Sequence, residues 1–221
     1  MVAKLHLVIA NKNYSSWSLR VWLAMTAMGL RFEETIIPLD TPRTAGQIRK
    51  HSGAGRVPVL HHGDTVIWES LAILEYLAET YPDKPFWPRN KAARAVARAV
   101  SNEMHAGFRA LRNFCPMNLR RPQRPPPTPF SEEFMGNLKR VEKIWSDCRK
   151  TYGRGGPFLF GRFSIADSMY APVATRIDTY AIKVSRSSRE YIEAVTAHPA
   201  FLLWKKAALA EKWIVPSDEV D

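Results

Sequence analysis

The sequence predicts an α/β layer with a mixed four-stranded sheet, followed by an all-α region. Three observations lead there. Over residues 1–83, short apolar runs of strand character alternate with helix-periodic segments. A proline-rich stretch, Asp83-Lys84-Pro85-Phe86-Trp87-Pro88-Arg89-Asn90, then interrupts the pattern. Beyond it strand patterns are scarce and apolar residues recur at helical spacing.

The elements follow in order. Leu5-His6-Leu7-Val8-Ile9-Ala10 is nearly continuously apolar, as a strand covered on both faces should be. Asn11 to Ser16 is polar and turn-forming. From Trp17 to Met28 apolar residues recur at 17, 21, 24, 25 and 28, a helix stopped by Gly29. Phe32 to Leu39 holds Thr35-Ile36-Ile37, a strand ended by Pro38, and Arg43 to His51 is a short polar helix or connector. Val57-Pro58-Val59-Leu60 and Thr65-Val66-Ile67-Trp68 flank a Gly63-Asp64 turn, which suits an antiparallel hairpin. Ser70 opens a helix through Leu71, Leu74, Leu77 and Ala78. A helix between the first two strands calls for a parallel, right-handed crossover. After the linker, Lys91–Asn113, Phe130–Tyr152, Ser164–Tyr180, Arg189–Ala197 and Pro199–Lys212 read as helices. Six prolines between 116 and 129 break the path between the first two of them. The expected division is a sheet domain over 1–83, a linker over 84–90 and a helical domain over 91–221.

With 46% hydrophobic residues among 221, the chain can bury a large core without metals or disulfides. No apolar stretch reaches the roughly 18 residues of a membrane span. The first residues lack the charged, apolar and cleavage regions of a secretory leader. Cys115 and Cys148 form no CxxC pair, and the histidines show no metal-ligand spacing, so no metal is expected. A reducing, cytoplasmic setting fits this cysteine usage. The net charge of +11 is uneven: residues 1–83 carry eight basic and eight acidic residues, so the whole excess lies in the helical part. That excess favours anionic partners there, or is a basic, solvated helix surface.

Three short segments can carry chemistry. Asn13-Tyr14-Ser15-Ser16-Trp17-Ser18 places hydroxyls at a helix N-terminus, where free N–H groups and the helix dipole favour an anion. A serine there can hold a thiolate ionised, or simply cap the helix. Gly55-Arg56-Val57-Pro58-Val59-Leu60 puts a proline at a strand start, where it marks an edge, a bulge or a cis bond. Beside a cis proline, the Val57 N–H and C=O can pair with an extended peptide. Trp68-Glu69-Ser70 sets a carboxylate and a hydroxyl at a helix start, suited to a ligand ammonium and carboxylate, or to a cap with a surface acid.

In this order, and with Glu69-Ser70-Leu71-Ala72-Ile73-Leu74-Glu75-Tyr76-Leu77 and Phe160-Gly161-Arg162-Phe163-Ser164-Ile165-Ala166-Asp167 following, the sequence resembles the glutathione S-transferase family over nearly its whole length. Ser164 and Asp167 look like that family's buried capping box. Ser15-Ser16 resembles its serine-type classes, especially zeta-like bacterial members, which carry Ser-Ser-Cys; here Trp17 stands in place of the cysteine. The resemblance implies a thioredoxin-like N-terminal domain, glutathione as co-substrate and a homodimer. It implies Ser15 as donor to the glutathione sulfur, with Ser16 and the Trp17 N–H as alternates and Tyr14 as a further one. Val57 beside cis-Pro58 would pair with the cysteinyl backbone, Glu69 and Ser70 would hold the γ-glutamyl end, and Arg56 or His51 the glycyl carboxylate.

The electrophile should then sit between the domains. His105, Arg109 and Arg112 are spaced four and three apart, so one continuous helix would put them on one face, with Phe108 and Leu111 as apolar neighbours and Tyr14 as a further pocket residue. That face suits an anionic substrate, or is surface or a dimer contact. The expected function is a glutathione transferase acting on a small electrophile, with detoxification as its setting. A maleylacetoacetate isomerase and a non-catalytic glutathione-binding module are the alternatives. No recognised nucleic-acid motif is present, so neither nucleic acid nor membrane is an expected partner.

Overall fold

The computed structural model describes residues 4–220. Strand β1 (Leu5–Ala10) is followed by α1 (Ser16–Ala27), β2 (Phe32–Ile37), α2 (Thr44–Arg49), the hairpin β3 (Val59–His62) and β4 (Thr65–Trp68), and α3 (Ser70–Thr80). The sheet runs β2-β1-β3-β4, with β1 and β2 parallel and the other two pairings antiparallel. This is the thioredoxin-like arrangement expected from the sequence. Alternation along β1 serves both faces. Leu5, Leu7 and Ile9 join the main core with α1 and α3, while Val8 joins a small cluster of Ile37, Ile48 and Val59 beneath α2.

The rest is helical: α4 (Lys91–Ala106), α5 (Arg109–Phe114), α6 (Glu132–Tyr152), α7 (Ile165–Thr179), α8 (Arg186–Thr196), α9 (Pro199–Ala210) and a short 3₁₀ turn at Pro216–Asp218. The main core is continuous from α1 through α4 to α9 and buries Trp145, Tyr170, Phe201 and Trp204. Helices α1, α4, α6 and α8 begin at polar caps: Ser15, Asn90, Ser131 and Ser185 each accept a backbone N–H near the helix start. Ser164 and Asp167 form the expected capping box on α7.

Two expectations need correction. The third strand starts at Val59 rather than Val57 and runs on to His62, since Pro58 has no N–H to give to the ladder; the Val57–Pro58 peptide bond is cis. The continuous helix over Lys91–Asn113 is broken. Gly107 is extended, and Phe108 sits in the left-handed region at φ 56°. A Cβ on Gly107 would lie 2.8 Å from the Glu103 carbonyl oxygen, which only glycine avoids. Burial of the Phe108 ring in the core offsets the unfavourable backbone. His105 therefore lies in the last turn of α4 while Arg109 and Arg112 lie on α5, and the three do not share one helical face.

On the α2 side of the sheet three imidazoles touch. His6 and His61 are cross-strand partners with stacked rings 5.6 Å apart, and His51 stands edge-on to both. Burial and the neighbouring imidazoles lower the pKa of His51 and His61. Their folded values lie below the ordinary value of about 6.5, so between the two values the unfolded chain binds more protons. Their contribution to stability is complete above about pH 6.5 and is lost as pH falls below it. Denaturant melts from pH 7.5 to 5 should show His61→Asn losing less stability than the unaltered protein over that interval; equal losses would contradict the assignment.

Candidate active site

The polar loop Asn11–Ser15 leads from the end of β1 into α1, and Ser15 caps the helix. Its Oγ accepts from the Ser18 N–H at 3.3 Å and lies 2.8 Å from the Ser18 Oγ, which also accepts from the Ala10 N–H at 3.0 Å. Ser16, the first helical residue, is buried, and its hydroxyl bonds to no described residue. Both hydroxyls lie at the positive end of α1.

The β3–β4 side supplies the rest. Val57 makes no backbone hydrogen bond through its N–H or C=O to another described residue. Glu69 joins β4 to α3 at φ 68°, a left-handed backbone uncommon for a non-glycine residue. This directs its half-exposed carboxylate to within 3.6 Å of His105 Nε2 and 3.9 Å of Arg56. Ser70, the first residue of α3, is 1% exposed, yet its Oγ has no hydrogen-bond partner. A buried, unpaired hydroxyl beside the free N–H groups of a helix start has the donors a carboxylate needs. On the other side of Glu69 a recess of about 400 Å³ runs between α3 and α4, lined by Glu69, Leu71, Ala72, Glu75, Arg98, Asn102 and His105; Ser70 does not line it.

The remaining candidates fall into two groups. Trp17, His105 and Arg112 meet: the Trp17 and His105 ring centroids are 5.3 Å apart, and the Arg112 guanidinium lies 5.4 Å from the Trp17 ring. His105, part-buried, has its pKa lowered chiefly by burial and by Arg20, with Glu69 acting the other way. Phe108 packs in the core. Arg109 is exposed, and Tyr14 is held by other partners: its O–H donates to the Glu219 carboxylate and accepts from Arg120 Nη2. The His51 ring is turned to His6 and His61, and no recorded contact joins it to Arg56, Glu69 or Ser70.

Sequence reasoning missed two features. One is Arg20 on α1, fully buried and over the Trp17 ring at 4.2 Å. Its apolar neighbours Leu19, Val21 and Leu23 were the available signal. The other is the segment after α9. The Glu211 carboxylate accepts from the Lys12 and Asn13 N–H groups at 2.7 and 3.0 Å, and Arg120 donates to the Glu211 and Trp213 carbonyls. The loop that positions Ser15 is thereby fastened from the far end of the chain. Among the described residues no group of His, Cys, Asp and Glu is arranged to hold a metal ion, and no helix is long and apolar enough to cross a membrane.

Comparison with known proteins places the sequence and the fold. Residues 14–80 match the family model for the glutathione S-transferase N-terminal domain. Glutathione S-transferase 1 of Dianthus caryophyllus is 35% identical over 168 residues, covering 72% of this chain and 71% of that protein. The maleylacetoacetate isomerase of Rattus norvegicus is 27% identical over 177 residues, 77% of this chain and 78% of that one. A probable maleylacetoacetate isomerase of Caenorhabditis elegans is 36% identical over 99 residues, which is 46% of its length. The fold matches a glutathione transferase homolog from Burkholderia, solved with bound glutathione, with a TM-score of 0.69 at 22% identity over 93% of this chain and 98% of that one.

Proposed function

The chain belongs to the glutathione S-transferase family, and on that footing we propose that it is a glutathione transferase, using the Ser15, Val57 and Glu69–Ser70 cluster to bind glutathione and activate its thiol. The observation that carries this reading is the buried, unpartnered Ser70 hydroxyl at the start of α3, beside Glu69 and across from the free Val57 backbone. Ser70 and the α3 N–H groups take the γ-glutamyl carboxylate, Glu69 takes its ammonium, and Val57 pairs with the cysteinyl backbone. Exposed Arg56 takes the glycyl carboxylate. His51 belongs to this site only if its ring leaves the imidazole cluster.

The cysteinyl sulfur then lies at the start of α1. Hydroxyl hydrogens rotate to suit their partners. In the free protein the Ser15 hydroxyl donates to the Ser18 Oγ, and when glutathione binds it rotates to donate its hydrogen to the sulfur instead. A free thiol, with a pKa near ~8.5, is mostly protonated at neutral pH; donation to the thiolate lowers that value and yields the nucleophile. The thiolate attacks the electrophile, forming a C–S bond as a leaving group departs or a double bond takes up the electron pair. Ser16 and the Trp17 N–H are the alternative donors. Trp17, His105 and Arg112 border the second-substrate space.

This reading extends to a serine-type, zeta-like class, and to a homodimer in the cytoplasm with a detoxifying role. A second reading, maleylacetoacetate isomerase, is favoured by the names of two relatives and by the cations around Trp17. Trp17 in place of cysteine weighs against it, and assay on maleylacetone decides it. The test of the main reading is ultraviolet titration of the thiolate in the glutathione-loaded protein, together with conjugation of an aryl halide. A bound thiol pKa well below 8 and measurable turnover are expected; binding with an unshifted thiol would instead make the protein a glutathione-binding module. Ser70→Ala should raise the KM for glutathione about tenfold, as loss of a hydrogen bond to a charged group implies, with kcat changed little. An unchanged KM would remove Ser70 from the site.

A further inference from the structure

A buried cation without a hydrogen-bond acceptor lies one helical turn beyond Ser16. Arg20 has no exposed surface, and none of its Nε, Nη1 and Nη2 atoms has a hydrogen-bond partner. Its guanidinium faces the Trp17 ring at 4.2 Å. The titratable groups acting on it are Arg176, Arg112 and the Tyr170 phenol, with no carboxylate among them. Burial and these like charges bring it down to about 9, so it remains a cation at neutral pH. Arg112, part-buried against the same ring, also has an unpartnered Nε. Arg176 is satisfied differently, donating to the Cys115 and Pro172 carbonyls. A buried guanidinium without an acceptor costs several kcal/mol. Its surroundings lack only an anion.

We propose that Arg20 and Arg112 form the receptor for a carboxylate on the second substrate, beneath Trp17. This rests on the glutathione-transferase reading and deepens it: the electrophile is an aryl or alkyl carboxylate rather than a neutral apolar molecule. The planar guanidinium of Arg20 accepts a carboxylate in a two-pronged pairing, and Arg112 supplies a second donor. Trp17 is partly exposed and packs edge-on to His105, which borders the recess at Glu69. Its indole occupies the face of Arg20 that the carboxylate needs, so the ring turns aside when substrate enters and then lies along the substrate's apolar body. The exposed Arg109 takes no part in this receptor.

The test uses a matched pair, 4-(chloromethyl)benzoate and its methyl ester. In both, the thiolate of glutathione forms the new C–S bond and chloride leaves with the electrons of the C–Cl bond, so the two differ chiefly in charge. The acid should be preferred in kcat/KM by the unaltered protein. Arg20→Met should lower kcat/KM for the acid by about 10- to 100-fold, as expected for losing a charge-assisted pair, and leave the ester and the KM for glutathione within about threefold. Arg20→Lys should recover part of the loss. An equal fall for acid and ester would overturn the proposal and assign Arg20 to the thiolate or to packing. Calorimetry without glutathione separates this from the parent reading: 4-methylbenzoate should bind the unaltered protein and 4-methylbenzamide should not, whatever the fate of the thiol. Absence of any difference between those two probes overturns the carboxylate receptor. Arg20→Met should melt no lower than the unaltered protein, since it removes an uncompensated buried charge. Should it fail to fold, Arg112→Met, on part-exposed α5, carries the same acid-against-ester comparison.

Discussion

Asp167→Ala is expected to cost about 3–5 kcal/mol of stability, because it leaves several buried donors unpaired at about 1–3 kcal/mol each before the site relaxes. Asp167 is fully buried at the start of α7, and burial raises its pKa to about 6, so at neutral pH it is mostly a carboxylate. Its two oxygens accept from the Leu159 N–H, the Ser164 N–H and hydroxyl, and the Tyr191 hydroxyl, at 2.9–3.2 Å. Alanine leaves four donors without an acceptor in a place water does not reach, on the helix that packs against both α1 and α4. At about 2–4 °C per kcal/mol for a chain of this length, the melting midpoint should fall by roughly 6–20 °C. Tyr191→Phe removes a single donor and should cost only about 0.5–1.5 kcal/mol. Calorimetric or denaturant melts of both variants check this; an Asp167→Ala protein within 1 kcal/mol of the original, on that same scale, would show that the network relaxes or rehydrates.

Ser15→Ala should have the largest effect on catalysis. A hydrogen bond to a charged acceptor contributes about 1.5–3 kcal/mol, and one pKa unit corresponds to 1.36 kcal/mol, so the bound thiol should rise by about one to two units. At pH values below the new pKa, the thiolate fraction and kcat/KM fall about 10- to 100-fold. The acid limb of the pH profile moves to higher pH by the same one to two units, so the variant recovers in alkaline buffer. Ser16→Ala should stay within about threefold, and Ser18→Ala, which removes the oxygen that holds the Ser15 hydroxyl in place, should fall between the two. If Ser16→Ala shows the displaced pH limb and Ser15→Ala does not, the two serines exchange roles.

The sheet, the hairpin and the Glu69-Ser70 pair were legible because each depends on residues close in sequence. Examples are the unbroken apolar run at Leu5–Ala10, the Gly63-Asp64 turn, and the polar residues just ahead of helix-periodic segments. The break at Gly107-Phe108 was hidden because the residues around it keep helical spacing, and only tertiary burial of Phe108 stabilises the left-handed backbone. His105, Arg109 and Arg112 were grouped for the same reason. Arg20 was overlooked despite its apolar neighbours because a charged residue in an amphipathic pattern is assigned to solvent by default. It is the packing of α1 against α7 and α9 on its second side that buries this position. The partners of Tyr14 and of the Asn11–Ser15 loop lie on distant segments, which no local pattern reports.

That distance has a consequence for the order in which the site is completed. Lys12 and Glu211 are 199 residues apart, yet the Glu211 carboxylate anchors the backbone on which Ser15 sits. A ribosome delivering some 5–20 residues per second needs at least about ten seconds to make the intervening chain. Through that interval the sheet can assemble, but the loop ahead of α1 lacks its last two acceptors. The part of the proposed site synthesised first is therefore the last to be fixed, and in the nascent protein the loop ahead of Ser15 is held in place only after α9 has docked.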